Sequence, residues 1–141
     1  MSVIIAKTTK EILRSYPVVA QLRTRLAEPE FLERVERQRR QGYQLAFVEH
    51  DGFVKCVAGF RLLEFLGWGK CMYVDDLVTD ERERSKGFGQ QMFAWLVEYA
   101  KANDCEQLHL DSGVQRFVAH RFYLAAGLDI TCHHFAMNLK E

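Results

Sequence analysis

The sequence predicts a mixed α/β fold whose central sheet is partly antiparallel and flanked by helices, and three observations carry that prediction. Three β-prone runs, Tyr43 to Val48, Phe53 to Leu66 and Cys71 to Val78, follow one another across tight turns, the pattern of an antiparallel meander. The period then changes: Met92, Phe93, Leu96, Val97 and Ala100 recur on one face of a helix. Another β-prone run, Cys105 to Asp111, follows that helix, and strand, helix, strand implies a parallel crossover in the second half.

Taken in order, Val3 to Ala6 reads as a short strand. Ser15-Tyr16-Pro17 opens a helix, with Ser15 as N-cap and Pro17 in the first turn. Val18, Val19, Leu22 and Leu26 form its apolar face. Pro29 starts a second helix with Phe31, Leu32 and Val35 inward, and Gly42 ends it. Its charged run, Glu33 to Arg40, reads as a solvated face, because Glu33 and Glu36 interrupt the basic residues. His50-Asp51-Gly52 supplies a hairpin turn. The run from Phe53 to Leu66 is long enough to bend, and Gly67-Trp68-Gly69 turns the chain again. A last helix, Arg116 to Ala126, ends at Gly127, a favourable residue just past a helix end. Leu128 to Leu139 reads as one strand or two.

Composition bounds the function classes. The 141 residues are the size of one domain, so a single domain over 1–141 is expected, and 48 % hydrophobic with 27 % charged residues is globular rather than disordered. Nineteen basic residues balance nineteen acidic ones, which leaves no basic tail or global positive field for nucleic acid. The balance is uneven along the chain: residues 1–70 hold twelve Lys/Arg against eight Asp/Glu, and residues 71–141 hold seven against eleven. Met1 to Tyr16 has no apolar core of a signal peptide, and no apolar run approaches the roughly 20 residues of a membrane span. Cys56, Cys71, Cys105 and Cys132 lack zinc-site spacing; they read as buried free thiols of a cytoplasmic protein, with no metal expected.

The segment from Met72 to Gln90 carries the chemistry. It runs from a strand through a polar loop to Gly87-Phe88-Gly89 at a helix start. Glycine permits close backbone approach and positive φ, and the first amides of a helix lack internal partners and sit in its positive dipole. With Arg84 and Lys86 alongside, the arrangement is a cradle for a pyrophosphate. The P-loop and dinucleotide-binding glycine patterns are both absent. Arg84-x-x-Gly87-x-Gly89 instead resembles the Q/R-x-x-G-x-G/A signature of the GCN5-related N-acetyltransferase superfamily. Ala119-His120-Arg121-Phe122-Tyr123-Leu124-Ala125-Ala126-Gly127-Leu128 resembles that family's A-x-x-F-Y-x-x-x-G-F segment. The sequence departs from the family in carrying Arg116 where members often have Asn, and Leu128 for the final aromatic.

The resemblance implies an acetyl-CoA-dependent transfer to an amine. Leu77 and Val78 would pair through their backbone with the pantetheine arm where the sheet splays. The amides of Arg84, Ser85, Lys86, Gly87, Phe88, Gly89 and Gln90 would hold the pyrophosphate. Tyr123 matches the family's tyrosine near the coenzyme sulfur and becomes the general acid. An ammonium has a pKa near ~10 in water and must lose a proton before it attacks, so a base is needed. Asp75 and Asp76 are the candidates, expected on opposite strand faces; the base position of diamine and polyamine acetyltransferases matches Asp75. Asp111 and then Glu64 stand behind them. His133 is expected in a core or interface and His134 on the opposite strand face. The acidic run Asp75, Asp76, Asp80, Glu81 and Glu83 ahead of Arg84 and Lys86 suggests a cationic amine, small or peptidyl, as acceptor. The alternative reading is a non-catalytic CoA-binding module of the same fold. The β-rich C-terminus could pair with a second copy as a homodimer.

Overall fold

The computed structural model describes residues 2–140. They divide into two compact units, one ending at Leu110 and one beginning at Asp111. The first holds a five-stranded sheet in the order β1 (Val3–Ile5), β2 (Tyr43–His50), β3 (Phe53–Phe65), β4 (Gly69–Thr79) and β5 (Gln107–Leu110). The first four strands pair antiparallel, and β4 pairs β5 in parallel across the intervening helix. These are the predicted meander and crossover. The β2–β3 hairpin turns on Asp51 and Gly52, at φ 54° and 80°. Two successive left-handed residues suit the twist of the strands they join.

Strand alternation sorts side chains into two cores. On one face Leu45, Phe47 and Val57 pack with Ile12, Val19, Phe31 and Val35 from α1 (Thr9–Leu22) and α2 (Glu28–Arg39). On the other, Ala46, Val48, Cys56 and Phe60 meet α3 (Phe88–Ala102) through Phe88, Met92, Leu96 and Ala100. That fourfold spacing is one helix stripe. Phe47, Phe60, Ile12, Leu45 and Leu96 are fully buried, and each such side chain contributes about 1.5–3 kcal/mol of apolar burial.

The start of α1 departs from expectation. It begins at Thr9 rather than beside Ser15, and Ser15 is fully buried inside it. Thr8 and Glu11 form a capping box: the Glu11 amide donates to Thr8 Oγ1 (3.1 Å) and the Thr8 amide to Glu11 Oε1 (3.0 Å). Two unpartnered amides are thereby satisfied, and Ile12, Val18 and Val19 bury the face on both sides of Pro17. Those gains hold a proline that costs one helical hydrogen bond.

In the second unit α4 (Phe117–Ala125) ends as expected at Gly127, φ 99°. The Leu128 amide donates to the Tyr123 carbonyl and the Gly127 amide to that of Leu124, both at 3.1 Å, a Schellman closure. Residues 128–140 form no strand, contrary to the expectation for Leu128 to Leu139. Alternation becomes a strand only where a neighbour supplies a ladder, and none is present among the described residues. Phe135, Met137 and Leu139 are exposed, and so is His133, which therefore lies in no core of the described residues. Cys56 and Cys71 are buried thiols, but Cys105 is half-buried and Cys132 exposed. Among the described residues no helix is long and apolar enough to cross a membrane.

Candidate active site

The chemistry of the first unit is organised by an irregularity in β4. Phe60 pairs with Val74, and the next pair is Gly59 with Asp76, so Asp75 is an extra residue, a β-bulge. The bulge changes the expected geometry. Regular alternation would send Asp75 and Asp76 to opposite faces; here both reach one cluster with Tyr43, Arg61 and Arg23. Arg61 Nε donates to Asp75 Oδ2 (2.9 Å), and its guanidinium lies 5.3 Å from the centre of the Tyr43 ring. The Tyr43 hydroxyl donates to Asp76 Oδ2 (2.8 Å). Arg23 Nε donates to Asp76 Oδ1 (2.9 Å), and Arg23 Nη2 to the Asp75 carbonyl (3.0 Å). Gly59 leaves room for this arrangement: a Cβ there would fall inside the Tyr43 hydroxyl and 2.8 Å from Asp76 Oδ2.

The two carboxylates are not equivalent. Both Asp76 oxygens are occupied, one by Arg23 and one by Tyr43. Asp75 engages Arg61 through Oδ2 alone, leaving Oδ1 open. Burial pushes the Asp75 carboxyl above its ordinary value, against the hydrogen bond and charge of Arg61, which pull it down. Burial, then the charge of Asp76, raises the Tyr43 phenol well above its ordinary value, so it remains a hydrogen-bond donor.

Beyond the bulge β4 parts from its parallel neighbour. β5 pairs Cys71 to Val74 and no further, while β3 continues to pair as far as Thr79. The edge carrying Leu77 and Val78 thus lacks a strand partner among the described residues. The polar loop follows. Asp80 is buried and anchors it: its carboxylate accepts from the Arg82 amide (3.1 Å), Arg82 Nη2 (3.0 Å) and Gln21 Nε2 (3.3 Å). The Arg82 hydrogen bonds pull the Asp80 carboxyl down to about 2. The Glu81 amide donates to Gln21 Oε1 (2.9 Å), tying the loop to α1. Glu83 bridges Lys55 (2.9 Å) and Lys86 (2.8 Å), and their hydrogen bonds hold its carboxyl below the ordinary value.

The loop reaches α3 through two left-handed residues, Ser85 (φ 68°) and Gly87 (φ 88°). No side chain caps α3, and no acidic residue lies in its first turn. A Cβ on Gly87 would meet nothing within 4 Å, so the approach to these amides is open. Phe88 is buried, whereas Arg84, Ser85, Lys86 and Gln90 are exposed. Arg84 has no ion-pair partner among the described residues. The acidic run before the cradle is therefore largely compensated: Asp75 by Arg61, Asp76 by Arg23, Asp80 by Arg82 and Glu83 by two lysines.

Tyr123 lies on α4 in the second unit, half-buried, its ring stacked on Phe122 at 5.6 Å. Asp111, also there, faces His134 Nδ1 at 3.4 Å, and His120 Nε2 lies 2.8 Å from the Gly113 carbonyl. Glu64 is exposed on β3. Among the described residues no group of His, Cys, Asp and Glu could hold a metal ion. The residues that sequence reasoning missed are Arg23, Tyr43, Gln21, Lys55 and Arg61.

Comparison with known proteins gives a consistent result. The sequence profile of the acetyltransferase (GNAT) family matches residues 6–128. An uncharacterized N-acetyltransferase, YhdJ of Bacillus subtilis (strain 168), is 30 % identical over 115 residues, 81 % of each chain. The fold is similar to the ribosomal-protein-alanine N-acetyltransferase of Brucella melitensis biovar Abortus 2308, with a TM-score of 0.84, 14 % identity, and 99 % of this chain and 100 % of that one covered. It is also similar to the glucosamine-6-phosphate N-acetyltransferase of Arabidopsis thaliana, with a TM-score of 0.75, 21 % identity, and 99 % and 100 % covered. At such identities these two structures speak for the fold alone.

Proposed function

The chain belongs to the acetyltransferase (GNAT) family, and from that premise we propose that this N-acetyltransferase moves the acetyl group of acetyl-CoA to a primary amine by direct attack, with both substrates bound together. The observation that carries the reading is the continuity of three features. The unpaired β4 edge at Leu77 and Val78 leads into the loop anchored by Asp80, and the loop ends at the uncapped start of α3.

These residues suit an extended arm that ends in a pyrophosphate. The backbone of Leu77 and Val78 would hold the arm as an added strand. The amides of Arg84, Ser85, Lys86, Gly87, Phe88, Gly89 and Gln90, together with the Arg84 guanidinium, would hold the phosphates. Acetyl-CoA, when bound, supplies an acyl group activated as a thioester. Lys86 would exchange its contact with Glu83 for a phosphate, a small cost because its side chain is 59 % exposed.

Asp75 is the base in this proposal, because Oδ1 is open and burial raises its pKa toward that of a working base. It takes the ammonium proton directly or through one water. Asp76, saturated by Arg23 and Tyr43, positions that cluster. Tyr123 is assigned protonation of the leaving thiolate, on the resemblance of its segment. The acceptor is a small-molecule or peptidyl amine, and the free thiols fit a cytoplasmic setting.

The test is thiol release from acetyl-CoA across a panel of primary amines, with the acetylated product identified by mass. Turnover that falls sharply in Asp75→Asn is the expected result. Binding of CoA without thiol release on any amine would make the protein a non-catalytic CoA-binding module.

A further inference from the structure

A cavity of about 450 Å³ lies wholly within the first unit, between the end of α1, α2 and the Tyr43–Asp76 side of the sheet. Its charged lining is Arg23, Arg25, Arg34, Glu30 and Asp76, three cations against two anions. Asp76 is saturated by Arg23 and Tyr43. Glu30 pairs with Arg34 at 2.6 Å one helical turn away, and both side chains are about half exposed. Arg25 has no carboxylate or hydrogen-bond partner among the described residues. The cavity, walled by Asp76, the chain neighbour of the candidate base, thus offers one guanidinium without a partner among the described residues and a second held only by a weak surface pair. A purely cationic acceptor would meet repulsion here, contrary to what the acidic run in the sequence suggests.

We propose that the acceptor amine also carries an anionic group, a carboxylate or a phosphate, which Arg25 and Arg34 bind while the amine faces Asp75. The inference rests on the reading of the protein as an amine acetyltransferase and names its substrate class. Guanidinium suits the role because its planar donors match the paired oxygens of either anion. Arg34 would trade Glu30 for the ligand, and Arg25 would gain its first partner. Arg23 stays with Asp76 and sets the floor of the cavity.

The experiment measures kcat/KM for amines in matched pairs that differ by one anionic group: lysine against cadaverine, and O-phosphoethanolamine against ethanolamine. Each is run with the unsubstituted protein, with Arg25→Gln/Arg34→Gln and with Arg25→Lys/Arg34→Lys, after circular dichroism confirms folding. The anionic member of at least one pair should be preferred by about tenfold or more, the scale of one or two charge-assisted hydrogen bonds. The glutamine variant should abolish the preference through KM, and the lysine variant should restore part of it. The pair that shows the preference tells carboxylate from phosphate. Cadaverine and ethanolamine both turned over as well as their anionic counterparts would overturn the inference while leaving the acetyltransferase reading intact. A preference that survives the glutamine variant also overturns it. Absence of thiol release with every amine overturns the underlying reading, and the inference with it.

Discussion

Asp75 and Asp76 are sequence neighbours with the same side chain, yet their surroundings give them different work. Asp75 keeps one oxygen open and is pushed toward the protonated form by burial; Asp76 has neither oxygen free. Asp75→Asn should lower kcat by about 10²–10⁴-fold, the range of general base catalysis, and remove the acidic limb of the pH–rate profile. Asp76→Asn should lower it less and keep that limb. Tyr123→Phe should lower kcat with little change in acetyl-CoA affinity, measured by calorimetry; unchanged turnover would remove Tyr123 from the mechanism.

Asp80 has the opposite shift to Asp75. Its folded pKa of about 2 lies below its unfolded value of 3.8, so its carboxylate stabilises the fold above the unfolded pKa. That stability is lost as pH falls through the folded pKa. Asp80→Asn should cost about 1–2 kcal/mol at pH 7 in urea unfolding, discounted for its exposed Arg82 partner. The difference from the parent protein should close between about pH 4 and about pH 2.

At the scale of elements, the turns and stripes were legible and the bulges were not. Asp51-Gly52 names its own turn type, and the stripe Met92, Phe93, Leu96, Val97 and Ala100 names its helix face, because both signals are local. The site depends on pairing. A regular register out from His50 and Phe53 would set Tyr43 opposite Phe60. The irregularity between Val48 and Glu49 sets it opposite Arg61 instead. The second bulge, at Asp75, then turns the two carboxylates to a common side. Neither irregularity has a residue signature in this chain, so Tyr43 and Arg61 went unmarked. The Thr8–Glu11 box was visible, but Pro17 reads as a start signal when burial is unknown. Gly59→Ala should displace Tyr43 from Asp76 and destabilise the fold by about 1–3 kcal/mol, the cost of overpacking. Activity should fall further than stability alone accounts for. Gly87→Ala meets no steric neighbour, so its effect comes from φ 88°, at about 1–2 kcal/mol. It should appear as a raised KM for acetyl-CoA, with Ser85→Gly neutral or mildly stabilising.

Over the whole chain the zero net charge conceals local pairing. The acidic excess of the second half is matched at the site by arginines and lysines drawn from both halves: Arg23, Lys55, Arg61, Arg82 and Lys86. Sequence order suggested an acidic approach to a basic cradle, and pairing in space turns this into a compensated cluster beside a cavity with an arginine to spare. Direct transfer requires that the cradle and the acceptor cavity be filled at once, with no acetylated enzyme between. Two-substrate initial-velocity kinetics, varying acetyl-CoA at several fixed concentrations of the preferred amine, test this most directly. Intersecting double-reciprocal lines are the predicted result; parallel lines, with exchange of label between CoA and acetyl-CoA in the absence of amine, would contradict it.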